Sequence, residues 1–194
     1  MNELIELIYR FDHSVLLFIQ ENLRFEPVTP VMKFASLSAN LGFLWIMLGI
    51  LLLCFRRTRL IGAAVLSALA LGLIVNNAFI KHLVDRTRPF DNYSDLIPLI
   101  KKPHDSSFAS GHTVASFAAV GVLIRFFNKP IAALMIVYAS LVGLSRLYLG
   151  VHYPTDVICG CLLGIAISLT VYYIYEKKFD LEPYSFKKLR AEKQ

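Results

Sequence analysis

Long apolar stretches dominate this sequence and restrict what it can fold into. Hydrophobic residues make up 56% of the 194 positions and charged residues 18%, against roughly 25% charged in soluble domains. Five stretches approach or exceed the roughly 20 apolar residues that cross a bilayer core as a helix: 31–55, 60–84, 111–127, 130–147 and 154–175. They predict an all-α, polytopic membrane helix bundle that forms one domain over residues 1–194.

The segment before these stretches has a different pattern. Apolar residues recur there at helical spacing among charged ones: Leu4, Leu7, Ile8, Phe11, Val15 and Phe18 against Glu3, Glu6, Arg10 and Asp12. This pattern predicts an amphipathic helix at the membrane interface. A sixth span beginning near His13 is the alternative, but it would place Glu21, Arg24 and Glu26 inside the bilayer at a high cost. We therefore expect five spans and one interfacial helix.

Basic residues lie at the ends of the apolar stretches and predict the orientation of the chain. They follow the first stretch, separate the third from the fourth, and fill the tail: Arg56, Arg57 and Arg59; Arg125 and Lys129; Lys177, Lys178, Lys187, Lys188, Arg190 and Lys193. With five spans all three regions share one side, which the excess of positive charge makes cytoplasmic. The loop 85–109 and the joint 145–153 then face outward. The net charge of +6 belongs to no water-soluble basic module, so we expect no nucleic-acid partner.

Three polar groups lie where the apolar stretches meet these outward-facing segments. They comprise Lys81 near the end of the second stretch with Arg86 and Arg88 after it, Ser110, Gly111 and His112 at the start of the third, and Ser145, Arg146, His152 and Asp156 around the last joint. Ionisable residues near a membrane core are costly and are usually functional. Because all three groups are expected at the same side of the bundle, they can form one site.

The residue types in these groups suit a phosphate ligand. Lys81, Arg88 and Arg146 can neutralise phosphate oxygens, the two arginines with a bidentate fork. Ser110 and Gly111 precede a predicted helix, whose first N–H groups and dipole favour an anion. His152 and Asp156 are four positions apart at the start of another helix, so the carboxylate can orient the imidazole. His112 is then free to act as an acid towards a leaving group.

These groups resemble the signature of the type-2 phosphatidic-acid phosphatase family, which reads K-x6-R-P, then P-S-G-H, then S-R-x5-H-x3-D. Lys81, Arg88 and Pro89 match the first part, Ser110, Gly111 and His112 the second, and Ser145, Arg146, His152 and Asp156 the third. The one departure is Ala109, where the family usually has proline. The resemblance implies a helical membrane enzyme, without metal or cofactor, that forms a phosphohistidine. It assigns His152 as nucleophile, Asp156 as its orienting residue and His112 as acid, with Lys81, Arg88, Ser110, Gly111 and Arg146 binding phosphate.

Other functions fit part of the pattern. The H-x3-D pair could be half of a metal site, although three nearby cations would repel a divalent ion. A lipid-phosphate binder or transporter would need the cations but not His152 or Asp156. A phosphotransferase would use the same intermediate and differ only in the acceptor. His13, His82 and His104 lack partners in the sequence, and we expect them to be non-catalytic.

The expected partners are the lipid bilayer and a lipid phosphate substrate, with the oligomeric state left open. Small members of the resembled family often recycle undecaprenyl pyrophosphate, which makes this diphosphate the first expectation. Phosphatidylglycerophosphate and phosphatidic acid are the alternatives. The loop 85–109 would cover the site, and Arg86 with Lys101 or Lys102 would contact the second phosphate of a diphosphate substrate.

Overall fold

All regular secondary structure in the described part of the chain, residues 2–179 and 181, is helical in the computed structural model. The helices are α1 Asn2–Asn22, α2 Thr29–Ser38, α3 Phe43–Leu53, α4 Arg59–Leu73, α5 Lys81–Val84, α6 Pro89–Asn92, α7 Gly111–Leu123, α8 Lys129–Tyr148 and α9 Pro154–Phe179. This confirms the predicted all-α class. The basic tail residues Lys187, Lys188, Arg190 and Lys193 lie outside the described residues.

Within the described residues, three helical segments are long and apolar enough to cross a membrane: Arg59–Asn92, Lys129–Tyr148 and Pro154–Phe179. A fourth span results if α2 and the segment Asn40–Leu53, which are bent by 47° relative to each other, count as one. Helix α7 has 13 residues and is therefore about 20 Å long, shorter than a hydrocarbon core of about 30 Å. The part of the chain that the structure describes thus has three or four candidate spans by length and composition, and the count of five stays a prediction.

Local backbone features interrupt the first two apolar stretches. A 3₁₀ turn, Asn40–Gly42, separates α2 from α3, with positive φ angles of 52° at Leu41 and 72° at Gly42. Glycine adopts the second of these conformations without steric cost. A π-helical segment, Ile74–Ile80, joins α4 to α5. It directs Asn76 into the protein, where the side-chain amide donates a hydrogen bond to the Ala109 carbonyl at 3.1 Å. The second stretch is thereby fastened to the start of α7.

Helix α7 lies at the centre of the bundle and packs against α4, α8 and α9. Its closest neighbour is α9, which presents Gly160 and Gly164, a small-x3-small pair of the kind that lets membrane helices approach. A Cβ atom on Gly164 would lie 2.7 Å from the Val114 carbonyl oxygen. The two helices also start side by side, because the Ser110 N–H donates to the Asp156 carbonyl at 3.2 Å. This contact brings two of the three polar groups together.

Helix α1 packs against α8 and α9. Its apolar residues Leu4, Leu7, Phe11 and Phe18 are all more than half exposed, whereas Asp12 is fully buried. The prediction that grouped Asp12 with the solvated residues of this helix was therefore wrong. His13 pairs with Asp95, and Arg24, just after the helix, donates to the Tyr148 and Ile97 carbonyls. All of these partners lie at the same end of the bundle as His152, while the interfacial location of α1 stays a prediction.

Candidate active site

His152 lies in the short joint between α8 and α9, with only 2% of its surface exposed. Its Nδ1 atom is 3.5 Å from Oδ2 of Asp156, in the first turn of α9. On the opposite edge of the ring, Nε2 is 3.4 Å from Nη1 of Arg88. One nitrogen therefore faces a carboxylate and the other faces a cation. This is the orientation that the spacing of His152 and Asp156 predicted.

The Asp156 carboxylate has further donors that fix its position. Oδ1 accepts a hydrogen bond from Nη1 of Arg86 at 2.7 Å, and Oδ2 accepts from the Tyr153 N–H at 2.9 Å and from the Ser107 hydroxyl. Sequence reasoning missed Ser107, because a serine in a long loop carries no periodic signal. The carboxylate is fully buried. Several donors can together hold such a group in its ionised form.

Two of the three predicted phosphate-binding cations share one carboxylate. Lys81 is ion-paired with Oδ2 of Asp105, and Nη2 of Arg88 is 2.7 Å from Oδ1 of the same residue. Burial alone would raise the pKa of Asp105, but the hydrogen bond and charge of Lys81, with the charge of Arg88, lower that pKa below its usual value. Asp105 stays ionised and neutralises part of the cluster. The sequence offered only a weak signal for it, a single acid after two lysines.

Arg146 lies on the opposite side of the cluster. It is buried in the last turn of α8, and its Nη1 donates to the Ser36 hydroxyl on α2. Its Nε atom has no hydrogen-bond partner among the residues that the structure describes. A buried guanidinium with an unused donor is costly unless a ligand completes its hydrogen bonding. An anion bound between Arg146 and Arg88 would do so.

Helix α7 begins at Gly111, as the sequence predicted, and Ser110 precedes it in an extended conformation. Hence the N–H groups of the first turn have no intrahelical acceptor. His112 stands in this turn, within electrostatic reach of Lys81, Arg88, Arg146 and His152. Contacts and electrostatic neighbours thus connect all eight predicted site residues in one cluster.

The protonation state of His152 follows from its surroundings. Burial lowers the pKa of the imidazole, Asp156 raises it, and the charges of Arg88 and Arg146 lower it further, to about 4. The ring is therefore neutral at pH 7. A neutral imidazole with its proton on Nδ1, towards Asp156, has an unprotonated Nε2, which is the form that a nucleophilic histidine requires. In the structure this nitrogen faces Nη1 of Arg88 at 3.4 Å.

Arg86 is paired with two carboxylates in the structure, and its contact with a second phosphate stays a prediction. Arg86 is 8% exposed and turns away from the cations. Its Nη2 is 2.6 Å from Oδ2 of Asp12, and its Nη1 donates to both Asp156 and the Thr155 hydroxyl. Lys101 and Lys102 are exposed, and their contact with a second phosphate stays a prediction.

Comparisons with known proteins agree with this geometry. The family model of the PAP2 superfamily matches residues 61–180. The chain is 36% identical over 126 residues to the undecaprenyl-diphosphatase of Sulfolobus acidocaldarius, covering 65% of this chain and 61% of that protein. It is 36% identical over 113 residues to phosphatidylglycerophosphatase B of Bacillus subtilis, covering 52% of each. The matches thus span between half and two thirds of these relatives.

Solved structures extend the likeness over most of the chain. The PAP2-type phosphatidylglycerolphosphate phosphatase of Bacillus subtilis superposes with a TM-score of 0.71 and 25% identity, covering 88% of this chain and 87% of that one. LpxE of Aquifex aeolicus gives a TM-score of 0.70 at 25% identity, with coverages of 84% and 95%. The family match includes the region that carries every predicted site residue. The chain therefore belongs to the PAP2 superfamily.

Proposed function

We propose that this protein is an integral membrane phosphatase that hydrolyses a lipid phosphate or diphosphate through a phosphohistidine on His152. One observation carries the proposal: the buried imidazole of His152 lies between the Asp156 carboxylate and the cation Arg88, next to the start of α7. A binding protein would need the cations and the helix start. It would not need a carboxylate that orients a histidine towards them.

In the first step, the lone pair on Nε2 of His152 attacks phosphorus in line with the bond to the leaving oxygen. The N–P bond forms, the P–O bond breaks, and His112 donates a proton to the departing oxygen. Lys81, Arg88 and Arg146 stabilise the charge on the transferring phosphoryl group, commonly the largest contribution to catalysis. Asp156 stabilises the positive charge that develops on the His152 ring.

In the second step, water attacks the phosphohistidine from the side that the leaving group vacated. His112, now neutral, accepts a proton from this water, so that the O–P bond forms as the N–P bond breaks. Inorganic phosphate departs and His152 returns to its neutral form. The proton taken up by His112 restores the acid for the next cycle.

For the substrate, we propose undecaprenyl diphosphate on the outward-facing leaflet. The similar proteins include one named for that lipid and one named for phosphatidylglycerophosphate, which supports a site that reads the phosphate end. The terminal phosphate would lie between Lys81, Arg88 and Arg146, and undecaprenyl phosphate would be the leaving group. Asp105 would have to yield its contacts with Lys81 and Arg88 to this phosphate.

Phosphate release by the purified protein tests the proposal. The panel contains undecaprenyl diphosphate, phosphatidylglycerophosphate and phosphatidic acid in one detergent, with His152→Ala as the control. We expect release from at least one lipid by the wild-type protein and none by the variant. Binding without release would identify a lipid-phosphate binder. A preference above tenfold in kcat/KM for either phospholipid would exclude undecaprenyl diphosphate as the main substrate, and a labelled lipid product in place of free phosphate would indicate a transferase.

A further inference from the structure

A line of buried charges leads from helix α1 to His152. Oδ2 of Asp12 lies 2.6 Å from Nη2 of Arg86, and Nη1 of Arg86 lies 2.7 Å from Oδ1 of Asp156. The other oxygen of Asp156 faces Nδ1 of His152 at 3.5 Å. Arg86 thus uses two separate nitrogens of its planar fork to hold two carboxylates, one of which contacts the proposed nucleophile.

Aromatic and polar contacts fix this arginine further. Its guanidinium carbon is 3.9 Å from the centre of the Tyr153 ring and 4.7 Å from that of Tyr9. Asp12 in turn accepts hydrogen bonds from the Thr155 N–H at 3.0 Å and from the Thr155 hydroxyl. Thr155 belongs to the first turn of α9, where the helix dipole favours a carboxylate. Asp12 is therefore bonded both to the start of the helix that carries Asp156 and to the arginine that holds Asp156.

The charges of this group suit the chemistry of His152. With a neutral imidazole, Asp12, Arg86 and Asp156 sum to one negative charge. A phosphorylated imidazole carries a positive ring, which would bring the buried sum to zero. Asp12 offsets the charge of Arg86 and so leaves the charge of Asp156 available to the imidazole ring. Without Asp12, the arginine would pair with Asp156 alone and compete with His152 for it.

We propose that Arg86 and Asp12 are positioning residues, which hold the Asp156 carboxylate in the orientation that aligns His152 for attack on phosphorus. The proposal rests on the proposed function and adds to it a contribution of α1 to catalysis. The side chain of Arg86 is bonded to two carboxylates, and that of Asp12 to Arg86 and to the start of α9, so that neither is paired with a phosphate-binding cation in the structure. Their loss should therefore slow the chemical step and leave substrate binding nearly unchanged.

Steady-state kinetics of single variants test this. We expect Arg86→Gln to lower kcat about 10–100-fold, the loss typical of residues that orient a metal-ligating side chain through a hydrogen bond. Asp12→Asn, which is one contact further from His152, should lower kcat about 3–10-fold. In both variants KM should stay within about twofold of the wild-type value. Arg86→Lys keeps the charge but lacks the planar fork that reaches both carboxylates, so it should not restore kcat. If Arg86→Gln does not fold, Arg86→Lys and Asp12→Asn decide the outcome.

His13→Gln is the matched control. His13 follows Asp12 in α1 and anchors the same helix, because its Nε2 is 2.9 Å from Oδ2 of Asp95. This contact is separate from that of Asp12 with Arg86. We expect its kcat to stay within about twofold of wild type. Equal losses of kcat in His13→Gln and Asp12→Asn would mean that both substitutions act only by weakening the packing of α1 against the bundle. A rise in KM confined to diphosphate substrates would assign Arg86 to substrate binding. Each of these two results would overturn the inference, and so would a wild-type kcat in the Arg86 variants. An inactive wild-type protein would overturn the proposed function as well as the inference.

Discussion

At the scale of single residues, the two histidines of the site have different surroundings and should respond differently to removal. His152→Ala should abolish turnover, because it removes the atom that bonds to phosphorus. His112→Ala should lose about 10²–10⁴-fold in kcat, and less on an aryl phosphate, whose leaving group needs no proton. Phosphate release from matched aryl and alkyl phosphates measures both effects. His82→Ala, on the exposed surface of α5, is the control, and equal losses on the two substrates would refute the acid role of His112.

The low pKa of His152 predicts an unusual pH dependence of its reactivity. Because burial and the nearby arginines lower this pKa to about 4, the ring stays neutral, and hence reactive, when the pH falls well below 6.5. Acylation of His152 by an imidazole-directed reagent, followed by peptide mass spectrometry, should reach half of its plateau rate near pH 4. The exposed His82 serves as the internal reference for the reagent. A half-maximal rate at pH 6.5 or above would contradict the expectation.

Asp105 pairs with two of the cations that are proposed to bind the substrate phosphate. Asp105→Asn removes the negative charge beside Lys81 and Arg88, so inorganic phosphate should inhibit the variant more strongly, with an inhibition constant about 3–10-fold lower. Asp95→Asn, on the same loop but paired with His13, is the matched control and should leave phosphate inhibition unchanged. A weaker inhibition of Asp105→Asn would mean that the carboxylate supports the phosphate site.

The eight candidate site residues were predictable because motif spacing at helix ends is visible in the sequence. Ser107, Asp105 and Asp12 were not, since each acts through a partner that only the folded chain supplies. Asp12 meets Arg86 across 74 positions, and Ser107 meets Asp156 across 49. Nothing in the local pattern of α1 separates a buried aspartate from a solvated one. The roles assigned to the eight residues stay predictions until variants are measured.

At the scale of elements, the contact of α7 with α9 holds the site together and offers a test of the packing. In Gly164→Leu the added side chain meets the backbone of α7, where even a Cβ would lie 2.7 Å from an oxygen atom. We expect a destabilisation of about 1–3 kcal/mol and a lower Tm in detergent. Ala166→Leu, on the exposed face of the same helix, should leave Tm nearly unchanged. Equal Tm values for the two variants would argue against close packing of these helices.

Apolar runs predicted where helices occur but not where each one ends. The third stretch was predicted to reach Phe127, yet α7 stops at Leu123, two residues before Arg125, and the chain turns before α8. The start of α8, in contrast, has a capping signal in the sequence. The Asn128 side chain accepts a hydrogen bond from the Ile131 N–H at 3.1 Å, and Pro130 follows in the first turn. The bend at Asn40–Gly42 depends on backbone angles that hydropathy does not encode.

At the scale of the whole molecule, charge placement predicts which side the site faces. In a background without Cys54, Cys159 and Cys161, a cysteine at Lys102 should react with an impermeant thiol reagent in intact cells. Cysteines at Arg57 and Lys178 should react only after the membrane is opened. All three positions are exposed, so their accessibility to the reagent reports on sidedness. Labelling of Lys102→Cys and Lys178→Cys from the same side would exclude the five-span arrangement, because three spans are expected between these two positions.

The length of helix α7 also has a consequence for the depth of the proposed phosphate site. If Arg125, just beyond its C-terminal end, marks one membrane face, a helix of about 20 Å leaves His112 about 10 Å short of the opposite edge of a hydrocarbon core of about 30 Å. Helix α6 and the loop 93–110 would then occupy the space between His112 and that edge of the hydrocarbon core. A lipid phosphate must descend below the level of neighbouring headgroups to reach His152, or the bilayer must be thinner around the protein. Soluble phosphate esters, which have no tail in the membrane to guide this descent, should enter such a recessed site far less often than lipids do.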